Sequence, residues 1–76
     1  MNPTRNYETT LGFEVGITAL SHGGGLHRID FPRPIEDKKE VRSAILDAWG
    51  CGPYTVTSVD VFGSCAIFYS RVDYTN

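Results

Sequence analysis

The sequence has little of several things that usually announce a function. Two cysteines, Cys51 and Cys65, are too few to staple a small secreted scaffold, so both are expected to be reduced. No apolar run is long enough for a membrane span. Residues 1–10 carry Asn2, Arg5, Asn6 and Glu8 in place of a signal-peptide core, which makes the cytoplasm the expected compartment, that of a host cell if the gene is a phage's. Charge of one sign is also missing. Seven Lys and Arg stand against nine Asp and Glu, a net charge of −2 that advertises neither a phosphate-binding surface nor a strong polyanion.

Catalytic and metal-binding patterns are equally sparse. His22 and His27 have a spacing tolerated in half a zinc site, but Cys51 and Cys65 are separated by a whole strand and turn, so no metal site is expected. The histidines are read instead as exposed loop residues. No serine or cysteine is accompanied by a spacing that specifies a base and an orienting group. Ser21-His22-Gly23-Gly24-Gly25 is followed by neither a helix start nor a Gly-Lys-Ser/Thr sequence, so it reads as a hairpin loop and not a phosphate cradle. Arg28, Arg33, Lys38, Lys39 and Arg42 alternate with Asp30, Glu36, Asp37 and Glu40, the mixture of a solvated surface. No cofactor is implied, and the chain reads as a non-enzyme.

What is present is enough for one thin core. Seventy-six residues, 41% of them hydrophobic, suit a single domain spanning 1–76. From Tyr7 to Ala19 the odd positions are apolar except for Thr9, and the even ones are polar or glycine, the period of a strand with one buried face. Together with the shorter alternation through Ile29 and Phe31 this predicts an N-terminal hairpin over residues 7–31, ended by Pro32 and Pro34. Val41, Ala44, Ile45, Ala48 and Trp49 repeat as one helical face, predicting a helix over residues 35–49 with acidic residues near its start and Gly50 and Pro53 at its end. Residues 54–72 read as a tight hairpin turning at Gly63-Ser64, with Phe62 opposite Cys65, Val59 opposite Phe68 and Ser58 opposite Tyr69. The expected fold is therefore α+β, ββαββ, a four-stranded antiparallel sheet with one helix packed on one face.

One helix covers one face. The alternation leaves Val56, Phe62, Ile67 and Tyr69 on the other, more apolar surface than a solvated strand face normally carries. Either Tyr7, Tyr74 or the chain ends fold over it, the register is shifted and the faces exchange, or it is a binding surface. Leu46, beside Arg42, falls outside the helix's apolar stripe and adds a second candidate contact. With Arg71 the only basic residue on the sheet face, direct nucleic-acid binding lacks its main source of affinity. A protein partner is the expectation, with a symmetric homodimer as one form of it. The alternative is a small dimeric nucleic-acid-binding or regulatory module.

Ala48-Trp49-Gly50 running through Pro53-Tyr54 into a hairpin turned at Gly63-Ser64 resembles some small phage-encoded anti-CRISPR inhibitors of type I systems. The resemblance covers residues 40–69 and lies in architecture, not in a motif. It implies a phage or mobile-element inhibitor that binds a CRISPR-Cas effector complex or its nuclease without catalysing a reaction, and it assigns no role to any residue.

Overall fold

A computed structural model describes residues 4–20, 25–49 and 54–72. Five strands and one helix follow in the order β1 (Thr4–Glu8), β2 (Glu14–Ala19), β3 (Leu26–Asp30), α1 (Lys38–Trp49), β4 (Tyr54–Phe62) and β5 (Cys65–Val72). All strand pairs are antiparallel, and the sheet runs β1-β2-β3-β5-β4. The first three strands form a meander. The chain then crosses the sheet through α1 and returns as a hairpin whose second strand lies against β3. As β3 and β4 both run antiparallel to β5, they are parallel to each other with β5 between them.

The expected four-stranded ββαββ sheet is thereby corrected to five strands, and the reason lies in parity. The single long strand read from Tyr7 to Ala19 is two strands joined by a loop over residues 9–13, with Glu8 opposite Glu14 and Tyr7 opposite Val15. A hairpin loop with an odd number of residues returns each side chain to the face its alternation assigned, so strict period two continues through the turn. Gly12, at φ +95°, supplies the left-handed backbone that reverses the chain. The Thr9 hydroxyl and amide both donate to the Phe13 carbonyl, at 2.6 and 3.1 Å, closing the loop.

The helix begins at Lys38, three residues later than the periodicity suggests. Asp37 caps it, its carboxylate accepting the Lys39 amide at 2.9 Å. The preceding segment is held in extended form. Phe31 and Ile35 donate their amides to the Ser64 and Gly63 carbonyls, each at 2.9 Å, which fastens the β3–α1 connection to the β4–β5 turn. Pro32 and Pro34 have no amide to satisfy there, and Ile35 is buried as a plug under the helix start. The expected stop at Gly50 and Pro53, the glycine loop through His22, the Cys51 thiol and any cover by Tyr74 lie outside the described residues.

Val15, Ile17, Ile29, Val41, Ala44, Ile45, Val59, Ala66 and Phe68 form the core between α1 and one face of the sheet. His27, read from sequence as an exposed loop residue, belongs to this layer. Its ring stacks on Phe68 with centroids 5.2 Å apart and meets Trp49 edge-on at 5.1 Å, while Nδ1 pairs with the Gly25 carbonyl at 2.9 Å. Its position follows from the alternation that buries Ile29: residues 27, 29 and 31 share a face.

Candidate binding face

The register places the uncovered face residue by residue. Across the sheet, one row reads Asn6, Gly16, Asp30, Cys65 and Phe62, and the next reads Thr4, Thr18, Arg28, Ile67 and Asp60. Beyond them Leu26 stands opposite Tyr69, and Tyr69 opposite Ser58. The β1 side is polar. Thr4 and Thr18 share a 2.6 Å hydroxyl hydrogen bond, and the side chains of Thr4 and Asn6 close over Gly16. The β5–β4 side is apolar, with Phe62 60% and Tyr69 44% exposed and Ile67 and Leu26 half-buried between them.

The six residues expected to bind separate into three groups. Phe62, Ile67 and Tyr69 share the uncovered face. Val56 does not: β4 carries a bulge between Val56 and Ser58, so Val56 pairs with Ser70 while Ser58 pairs with Tyr69. The extra residue, Thr57, turns everything before it by one step, and Val56 packs on the helix-side core instead. The Thr57 hydroxyl donates to the Tyr69 carbonyl at 3.2 Å, occupying a group that the bulge displaces. Leu46, 49% exposed, and Arg42 lie on the side of α1 turned away from Val41, Ala44 and Ile45. They belong to a surface separated from Phe62 by the thickness of the sheet and helix.

Two more residues belong to this face: Leu26, not singled out from sequence, and Cys65, whose expected pairing with Phe62 already places it there. Leu26 has the parity opposite to Ile29, a signal available in the alternation. Cys65 is a free, half-buried thiol whose Sγ lies 3.4 Å from the Phe62 carbonyl. It faces away from His27, so the two described members of the zinc pattern lie on opposite faces of the sheet. Among the described residues no three His, Cys, Asp or Glu side chains gather in a way that could hold a metal, and no helix is long and apolar enough to cross a membrane. Tyr7 pairs with Val15 and packs on the helix-side core, so it does not fold over the uncovered face.

Charge on this face is unevenly shared. Glu8, Glu14, Asp30 and Asp60 project from it against Arg28 and Arg71. The Arg28 guanidinium binds Asp30 at 2.8 Å, and its pKa is raised above the ordinary value by that hydrogen bond first, then by the charge of Asp30 and the nearby Cys65. Pairing with Asp30 commits one of the two cations within the face itself. What remains is an apolar centre with a net acidic border. Searches against known protein families, curated proteins and solved structures find no match to the chain.

Proposed function

We propose that the chain is a non-enzymatic binding protein that engages a protein partner through the uncovered sheet face, and that an effector complex of a host CRISPR-Cas defence system is that partner. The observation that carries the binding reading is the cluster of Phe62, Tyr69, Ile67 and Leu26, presented side by side on β3, β5 and β4 with two of the four exposed. An apolar centre with a polar rim has the composition of a protein interface. The rim's four carboxylates against two guanidiniums favour a partner whose matching patch is apolar and bordered by Lys or Arg. Assemblies that hold RNA offer such basic borders. The choice of a CRISPR effector rests on the resemblance of the helix end and the C-terminal hairpin to the anti-CRISPR inhibitors.

The test is retention of a purified type I CRISPR effector complex on the immobilised chain, with light scattering of the chain alone beside it. Binding that Phe62→Asp abolishes and Leu46→Asp leaves unchanged supports the proposal. Failure of the effector to bind overturns the CRISPR assignment. A stable dimer that Phe62→Asp dissociates assigns the face to a second copy of the chain instead.

A further inference from the structure

On the helix side of the sheet, away from the face just described, the loop over residues 9–13, the β3–α1 connection and the first turns of α1 border an open hollow of about 300 Å³. Its walls are apolar: Leu11, Phe13, Phe31 and Ile35 line it, and the Phe13 and Phe31 rings meet at a tilt of 58° with centroids 6.1 Å apart. Its remaining lining is ionic and polar, from Arg33, Lys39, Glu40 and Ser43. The Arg33 guanidinium lies over the Phe13 ring, 5.4 Å from its centroid, and makes one 3.3 Å hydrogen bond to Glu40. A guanidinium carries five N–H donors, so most of its capacity is unused. Among the described residues, the Lys39 ammonium and the Ser43 hydroxyl have no partner. The hollow therefore combines aromatic walls with three donor groups, two of them cations, set against a single carboxylate that Arg33 already engages.

We propose that this hollow is a binding site for a small aromatic monocarboxylate, of about ten non-hydrogen atoms, with the ring between Phe13, Phe31 and Ile35 and the carboxylate on Arg33, Lys39 and Ser43. The size lies at the small end of ligand pockets, where apolar walls supply contact area and a few polar groups fix orientation. The sign of the ligand follows from the donors: Arg and Lys donate and do not accept, and a carboxylate both accepts from them and balances their charge. Leu11 forms part of the wall from a loop tied to α1 by Thr10, whose amide and hydroxyl both donate to the Asp47 carboxylate, the hydroxyl at 2.9 Å. That tie holds the hollow's outer wall in place without a ligand, so little ordering is needed on binding.

Titration followed by NMR tests the site, with 3-phenylpropionate as probe and 3-phenyl-1-propanol and 3-phenylpropylamine as its neutral and cationic counterparts. The carboxylate is expected to shift the Phe13, Phe31 and Ile35 signals and to bind about tenfold more tightly than the alcohol, the ratio of one charge-assisted hydrogen bond. Lys39→Ala, at an exposed side chain, should remove most of that advantage while leaving the spectrum of the free protein otherwise unchanged; Glu40→Gln should strengthen carboxylate binding. Equal shifts from all three probes, shifts centred on other residues, or no shifts at millimolar probe would overturn the proposal.

Discussion

At the scale of single residues, the most constrained position is Gly25. It sits at φ +77°, and a Cβ added there would fall inside the contact radius of the Ser70 carbonyl oxygen on β5. The Gly25 carbonyl also accepts the Ser70 amide at 2.9 Å and pairs with His27 Nδ1 at 2.9 Å, so the backbone cannot retreat without breaking both. Gly25→Ala is therefore expected to cost about 3 kcal/mol, left-handed strain and a backbone clash together, read as a lowered urea midpoint. Gly12 is the contrast. It too has a positive φ, but nothing lies within 4 Å of an added Cβ, so Gly12→Ala should cost only about 1 kcal/mol of backbone strain. Phe68 is fully buried and contacts both His27 and Trp49, so Phe68→Ala should cost roughly 3 to 5 kcal/mol and leave a domain this small largely unfolded by circular dichroism.

Elements show how far alternation can be trusted. The β4–β5 hairpin was legible from Ser58 to Tyr69, because a two-residue turn at Gly63-Ser64 fixes the register and each pair follows from it as far as the bulge. The helix stripe was legible for the same reason, since Val41, Ala44 and Ile45 are all buried. Two features defeated the pattern in opposite ways. The loop over residues 9–13 hides a chain reversal because its odd length preserves parity, and the only local mark of it is Gly12. The bulge at Thr57 destroys parity without any glycine, so Val56 was assigned to the wrong face. A Thr57 deletion tests that account: with Ser58 opposite Tyr69 and Val56 opposite Ser70, removing the extra residue should leave regular pairing with Val56 still on the helix-side core, whereas without the bulge the deletion would turn Val56 to the other face and lower stability by about 2 kcal/mol, the order of one buried valine lost to solvent. The helix start depends on its cap, and Asp37→Ala should reduce the unfolding free energy by about 1 kcal/mol in denaturant titration without changing the fold.

For the whole molecule, a five-stranded sheet has two faces and its single helix covers one of them. The helix-side layer absorbs Val15, Ile17, Ile29, Val59, Ala66 and Phe68, and the apolar side chains of the other face have no covering element among the described residues. That imbalance was legible in the sequence through Phe62, Ile67 and Tyr69. The faces of Leu26, Glu8, Glu14 and Asp60 follow from alternation, but their assembly around Tyr69 and Ile67 was not legible, because it depends on which strand lies beside β5, and the order β3-β5-β4 is a tertiary choice that no local pattern encodes. An acidic border predicts salt dependence: partner binding should weaken as ionic strength rises, and Asp60→Lys should weaken it further while Asp60→Asn does so less. The most direct measurement of the central claim is methyl cross-saturation from the bound partner to this chain. Saturation should reach the Ile67 and Leu26 methyls most strongly and leave those of Leu46 and Leu11 nearly untouched. Strong transfer to Leu46 or Leu11 with Ile67 and Leu26 unaffected would place the partner on the helix side and contradict the assignment of the uncovered sheet as the binding face.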